Sequence, residues 1–213
     1  VWMDVRSLRF GTSADARLAW LIVVGSVPAG VAGKLLKKPL RDNFYHAEAI
    51  AWVAIAFAVL MAAAEVWAAR RRRVRAEKGV GEIGWGEAVW VGVWQALALM
   101  PGASRSGTTI TGGLFAGLTR EAAARFSFLL SLPIILAAGL LDLVEEREHL
   151  FASADDAAAL GVGLLVSAVV GYLAIAWLLG FLRRYSTAAF VAYRVLLGGG
   201  ILVALRLGYL TAK

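Results

Sequence analysis

Nine consecutive residues, Pro101-Gly102-Ala103-Ser104-Arg105-Ser106-Gly107-Thr108-Thr109, bring one guanidinium, four hydroxyls and two glycines into a chain that is apolar on either side of them. The run before them, Ala88 to Met100, is apolar except for Gln95, and the run after them, Ile110 to Leu118, is rich in glycine and apolar residues. Bare amides and a charge cannot face lipid, where each unsatisfied backbone group costs several kcal/mol. Such a loop persists only in a protein-lined cavity, and an intramembrane charge there marks a functional site. The arginine offers a planar fork matched to phosphate oxygens. Gly107 opens a half-helix whose first N–H groups lack intrahelical partners and carry about half a positive charge, a general solution for phosphate. Ser104, Ser106, Thr108 and Thr109 can donate to the remaining oxygens. This is the chemistry of an oxyanion cradle. Broken helices with N-termini at mid-membrane also build transporter sites, so these residues specify an anion site in a membrane cavity and leave hydrolysis open.

The rest of the chain has to hold that loop inside a bilayer. Of 213 residues, 60% are hydrophobic and 17% charged, against roughly 25% charged in a soluble domain. The expectation is a single all-α polytopic membrane domain over residues 1–213. Five spans are read at about Leu18–Leu36, Ala47–Ala69, Ala122–Val144, Ala157–Leu182 and Thr187–Tyr209. With no cysteine, disulfides and thiolate metal sites are excluded. The net charge of +7 lies in short loops, which points to topology and anionic lipid headgroups rather than nucleic acid. Arg70 to Lys78 and Arg183-Arg184 are expected in the cytoplasm, and the acidic stretch from Glu145 to Asp156 on the far side. The span ending before Arg70 and the span starting at Ala122 then share the cytoplasmic side. The segment between them, Trp85 to Leu118, must enter and leave on that side. Its half-helices of about 15 and 12 residues reach only to mid-membrane at 1.5 Å per residue. It is read as a re-entrant hairpin with the polar loop at its tip. Lys34, Lys37, Lys38 and Arg41 run against this scheme, in a loop placed outside. Val1 is not a methionine, no signal peptide is recognisable, and Val1-Trp2-Met3 reads as the last turn of an earlier helix; an N-terminally incomplete chain is expected.

Other polar residues have two readings each. Gln95, one to two turns before the loop, either faces the same cavity and bonds the substrate or joins two helices. Glu65 reads as a snorkelling partner of Arg70, Glu87 and Asp142 as interfacial residues. Arg125 and Arg194 either add positive potential to the cavity or, the favoured reading, reach the headgroups. Gly113-x-x-x-Gly117 reads as a close helix contact, and the eight tryptophans mostly as interface anchors.

The nine-residue loop resembles the second signature of the bacterial undecaprenyl pyrophosphate phosphatase family, also called bacitracin-resistance proteins. The resemblance extends to Phe126-Ser127-Phe128-Leu129-Leu130-Ser131-Leu132-Pro133, to Leu141-Asp142-Leu143, to Ala192-Tyr193-Arg194 and to the Pro28-Ala29 region. It implies a multi-pass hydrolase of the bacterial inner (plasma) membrane. The enzyme would release phosphate from undecaprenyl pyrophosphate and leave undecaprenyl phosphate, the carrier used in peptidoglycan and cell-wall synthesis; this function bears on bacitracin resistance and cell shape. The partners expected are undecaprenyl pyrophosphate and membrane lipids, with no nucleic acid, and a homodimer is left open. The runner-up function is a transporter or flippase that binds a phosphorylated lipid without hydrolysis. The family fold is an inverted repeat of six spans and two re-entrant hairpins, against five spans and one hairpin here. The family's first signature, a Glu-rich stretch ending in Pro-Val-Ser-Ser-Thr-Gly-His, has no match in this chain, and His46 and His149 lack its context. That signature supplies the residues assigned to metal binding. The implied divalent cation, Mg or Ca, therefore has no ligands expected in this chain, which is expected to be inactive by itself. Within it, Arg105, Ser104, Ser106 and Thr109 are the expected catalytic residues, and Gly102, Gly107, Thr108 and Gln95 the expected substrate-binding ones.

Overall fold

The computed structural model describes residues 14–210; the reading of Val1 to Met3 lies outside them. Among the described residues eight α-helices follow one another: α1 (Ala14–Phe44), α2 (Ala47–Arg71), α3 (Trp85–Leu97), α4 (Arg105–Ala116), α5 (Arg120–Glu145), the single turn α6 (Arg147–Leu150), α7 (Ala154–Arg184) and α8 (Ala188–Arg206), with a 3-10 turn at Val80–Glu82 before α3. Five of them, α1, α2, α5, α7 and α8, are long and apolar enough to cross a membrane. The all-α polytopic fold expected from hydropathy is therefore present.

One boundary differs. The sequence reading ended the first span at Leu36, whereas α1 continues unbroken through Pro39 to Phe44. Lys34, Lys37, Lys38 and Arg41 thus belong to a helix and not to a loop. A helix of 31 residues is about 46 Å long, well beyond the roughly 30 Å hydrocarbon core. The turns beyond the apolar window, which ends at Leu36, carry Lys37, Lys38 and Arg41, while Lys34 lies within its last turn.

The hairpin α3–α4 is the centre of the bundle. Its 13- and 12-residue arms extend only about 20 Å each, too little to span. α3 packs on α1, and α4 packs on α2 and α5. The core gathers where these elements meet, around Val91, Leu114, Leu118, Phe126 and Leu130, all nearly inaccessible. α7, in contrast, touches chiefly α5 and α6 and presents almost its whole length outward, with Leu182 as its one buried residue among those described.

Both ends of the hairpin are tied together. Lys78 N–H donates to Gly117 O at 3.0 Å and Thr119 N–H to Lys78 O at 3.0 Å, an isolated parallel bridge that links the segment entering the hairpin to the exit of α4. Lys78 Nζ also meets Glu87 Oε1 at 2.5 Å, and the Glu87 carboxylate accepts from Gly84 N–H to cap α3. The Arg71 guanidinium closes the C-terminus of α4 on Ala116 O at 2.8 Å. Gly117, read from sequence as a packing glycine, instead ends α4 at φ 87 with Arg71 lying over it.

The same face collects the ends of the spans. Arg17 at the start of α1 donates to Ile83 O. Arg120 at the start of α5 grips Glu65 near the end of α2 through Nε and Nη2 at 2.7–3.1 Å. Glu65 also accepts from Thr187 N–H at the start of α8, and Arg183 at the end of α7 pairs with Glu121 at 2.6 Å. Glu65 is thus the partner of Arg120 and not, as read from sequence, of Arg70. One carboxylate joins three spans, and the face so assembled carries the basic clusters Arg70–Arg75 and Arg183-Arg184.

Candidate active site

The seven residues between the two arms fold as a tight turn. Gly102 sits at φ 90, and a Cβ there would stand 2.4 Å from Ile50 O. Only glycine gives both that backbone angle and that approach. Ser104 is the one non-glycine residue with positive φ among those described, at φ 63. Such a conformation costs on the order of 1–3 kcal/mol and is retained where the surroundings over-determine it, often at functional sites. Its hydroxyl caps α4 by accepting from Gly107 N–H at 3.4 Å. The half-helix therefore begins at Arg105, two residues earlier than read. Thr108 N–H is the first to bond within the helix, to Ser104 O at 2.9 Å, so the amides of Arg105 and Ser106 remain for an incoming acceptor.

The four hydroxyls do not act alike. Ser104 and Ser106 line a cavity of about 240 Å³ together with Gly102 and Gly107. Thr108 and Thr109 are completely buried and turned into the protein. Thr108 Oγ1 donates to Ala103 O at 3.0 Å, fastening the turn to the helix. Thr109 Oγ1 lies 2.6 Å from Ser127 Oγ on α5 and 2.9 Å from Arg105 O. These two threonines, expected beside the substrate, instead lock the loop to its own backbone and to α5. Ser127 belongs to the Phe126–Pro133 stretch, whose place in the site is thereby explained: it holds the hairpin's second arm.

Gln95 is buried, at 2% exposure. It falls on the same side of α3 as Ala88 and Gly92, which pack against Gly25 of α1. Its surroundings on that side are those of the contact between α3 and α1. Neither atom of its amide finds a partner among the described residues. Trp90 and Trp94, read with the other tryptophans as interface anchors, hold the hairpin shut. Trp90 Nε1 donates to Gly112 O at 3.0 Å, and Trp94 stacks toward Phe115 with centroids 5.5 Å apart.

Arg105 and the serines open on different sides of the loop. The Arg105 side chain lines a second, larger cavity of about 740 Å³ with Arg125, Phe128 and Ser131 of α5 and Ile175 and Leu179 of α7. The serine cavity is walled by α2, the end of α7 and α8, and it contains Arg194. Sequence reading favoured the headgroups for both Arg125 and Arg194. Arg125 is half exposed, approaches Glu121 at 3.9 Å and lines the larger cavity. Arg194 is 6% exposed and donates through Nη2 to Gly102 O at 2.9 Å. It belongs to the loop and not to the interface. The signal available was its depth, two turns inside an apolar span, which by itself marks an ionisable residue as functional.

Among the described residues no group of three or more His, Asp or Glu side chains is assembled. The acid nearest in role, Glu65, is already committed to Arg120 and Thr187. The cavities beside the loop are lined by guanidinium, hydroxyl and apolar groups, a donor set unsuited to a divalent cation.

Residues 2–200 match the family described as Bacitracin resistance protein BacA. The chain is 43% identical over 219 residues to an undecaprenyl-diphosphatase of Chlorobium phaeobacteroides, an alignment covering 100% of this chain and 76% of the relative. It is 46% identical to one of Chloroherpeton thalassium, covering 94% of this chain and 71% of the relative. It is 49% identical to one of Anaeromyxobacter dehalogenans, covering 97% and 68%. With an apolar five-span bundle around a polar hairpin tip and a family match over nearly its whole length, this chain belongs to the bacitracin resistance protein BacA family.

Proposed function

We propose that the chain carries the phosphate-binding side of an undecaprenyl-diphosphatase, which hydrolyses the lipid pyrophosphate to undecaprenyl phosphate and phosphate in the bacterial plasma membrane. The observation that carries this reading is the placement of the loop: at the tip of a hairpin too short to cross the membrane, two serine hydroxyls face one cavity, Arg105 faces another, and the amides of a helix N-terminus lie between them. Relatives named undecaprenyl-diphosphatase favour hydrolysis over the transporter or flippase alternative.

In this reading Arg105, Ser104 and Ser106 bind the pyrophosphate, and the Arg105 and Ser106 amides add their dipoles. As the bond between phosphorus and the bridging oxygen lengthens, negative charge grows on oxygens held by preorganised donors. Donors aimed at that developing charge lower the barrier without reorganising. Thr108 and Thr109 keep the loop in register, and Gly102 and Gly107 let other groups approach it. Hydrolysis also needs a group that activates the attacking water or supplies a nucleophile, and no described residue beside the loop is placed for that. The divalent cation implied by the resemblance would require donors other than these.

The chain spans 68–76% of the length of the relatives compared. The test is to purify this chain and a version extended at its N-terminus with the corresponding segment of a relative. Phosphate release from a prenyl pyrophosphate is then measured with and without magnesium or calcium. Metal-dependent release by the extended version, with negligible release by the chain alone, is the result expected. Comparable rates from both would place the hydrolytic groups inside these 213 residues and promote Gln95, Glu87 or Glu65 from scaffold to site.

A further inference from the structure

The chain leaves α2 through five arginines in six residues, Arg70 to Arg75, and the fold sorts them. Arg72 pairs with Glu77 at 3.2 Å. Arg71 donates to Ala116 O and lies over Gly117 at the exit of α4. Arg70, Arg73 and Arg75 are exposed, with no ion pair or side-chain hydrogen bond among the described residues. The helical register continues past the end of α2, because Val74 N–H and Arg75 N–H both return to Arg71 O, at 3.0 and 2.9 Å. Trp67, Arg70, Arg71, Val74 and Arg75, spaced i, i+3, i+4, i+7 and i+8, therefore share one face. Together they line a cavity of about 370 Å³, whose walls do not include Arg73.

The span sets the level of this cavity. α2 is apolar over Ala47–Arg71, so the cavity opens where hydrocarbon gives way to headgroups. Trp67 is 51% exposed in the last turns of the span, the depth at which tryptophan settles in a bilayer. The carbonyl end of α2 favours cations, but its half negative charge falls short of three guanidiniums on one face. Cations held side by side without a counter-charge repel one another, and the apolar part of the same face is too exposed to be a protein core.

We propose that this face binds the headgroup of an anionic phospholipid, with the phosphate between Arg70 and Arg75 and the first acyl carbons on Trp67 and Val74. Charge complementarity selects this occupant: a phosphodiester supplies the missing negative charge, and basic pockets at the ends of spans hold anionic headgroups. Arg71 both lines the cavity and closes α4, so an occupied cavity braces the exit of the hairpin as well. The site lies apart from the loop at the hairpin tip and does not rest on the phosphatase reading.

The test follows the thermal unfolding midpoint of the 213-residue chain in detergent as dioleoylphosphatidylglycerol, dioleoylphosphatidylcholine or glycerol phosphate is added. A ligand that binds only the folded state raises the midpoint with its concentration, which yields an apparent affinity. Phosphatidylglycerol is expected to raise the midpoint well above phosphatidylcholine. The double variant Arg70→Gln, Arg75→Gln is expected to weaken phosphatidylglycerol roughly tenfold or more, as for lost charge-assisted hydrogen bonds. Each single variant is expected to fall between it and the parent and serves if the double variant does not fold. Arg73→Gln removes the same charge from the same segment outside the cavity and is expected to stay near the parent. Parental affinity in the double variant would overturn the proposal. An equal loss in Arg73→Gln would replace the site by a diffuse surface potential, and equal stabilisation by phosphatidylcholine would make the apolar contact sufficient; either overturns it. Glycerol phosphate acting as strongly as phosphatidylglycerol would assign the arginines to a free phosphate and overturn the lipid.

Discussion

The base and the tip of the re-entrant hairpin are both rich in charge, yet they treat it in opposite ways. At the base four cations are answered by a carboxylate or a carbonyl. Arg71 meets Ala116 O, Lys78 meets Glu87, Arg120 meets Glu65, and Arg183 meets Glu121. At the tip, Arg105 has no carboxylate partner among the described residues, and Arg194 leaves one nitrogen open. Closed pairs fix helices in register, whereas open donors store an interaction for a ligand. The number of charges does not separate scaffold from site in this bundle; their satisfaction does.

Breaking the base should act on stability, and breaking the tip should act on function. The largest expected effect is Glu65→Ala, which strands Arg120 and uncaps α8 at Thr187. Removing one member of a fully buried, hydrogen-bonded pair typically costs about 3–5 kcal/mol, and this partly buried one should cost less, on the order of 2 kcal/mol. A marked fall in the thermal unfolding midpoint in detergent is expected. An unchanged midpoint would mean that the three-span junction contributes nothing.

Next comes Arg105→Lys in the N-terminally extended protein. It keeps the charge and loses the planar fork, so kcat/KM should fall by about 1.5–3 kcal/mol of transition-state stabilisation, with the unfolding midpoint near that of the parent. Turnover of Arg105→Ala at the parental rate would remove Arg105 from the site. A topological test sharpens the comparison without touching energy: single cysteines at Gly84 and Thr119 should react with an impermeant reagent from one side, the cytoplasm. Labelling from opposite faces would contradict the paired hairpin ends.

The smallest effect concerns Glu87. A hydrogen bond from Lys78 holds its carboxyl below the usual carboxylate range, against a partial opposing effect of burial. Its contribution is therefore complete above the unfolded pKa and is lost as the pH falls through the depressed folded value. Because the pair is partly exposed, removing it should cost only about 0.2–1 kcal/mol. Glu87→Gln should flatten the acid limb of stability slightly and leave the neutral plateau almost unmoved. A midpoint that drops equally at every pH would assign the effect to the lost cap at Gly84 instead.

Much of this architecture is local, and local features are legible in sequence. Five apolar runs, a hairpin too short to span, and arginine clusters on alternate loops follow from hydropathy and charge, because the bilayer acts on each segment separately. The oxyanion character of the tip follows in the same way from the composition of nine neighbouring residues. The boundary of α1 was misplaced because a charged helix end and a charged loop have the same composition, and only backbone bonding separates them.

What tertiary structure decided is who meets whom. Glu65 and Thr187 are 122 positions apart, and Arg194 reaches Gly102 across 92; no periodicity encodes such pairs. Thr108 and Thr109 have the same chemistry as Ser104 and Ser106, yet the turn of α4 sends the first two into the core and leaves the others at a cavity. The amino-acid sequence by itself determined a membrane bundle with a cationic, hydroxyl-rich hairpin tip, since side-chain solvation is a property of each segment. Packing alone decided which hydroxyls line a cavity and which arginine is left with an unpartnered nitrogen among the described residues.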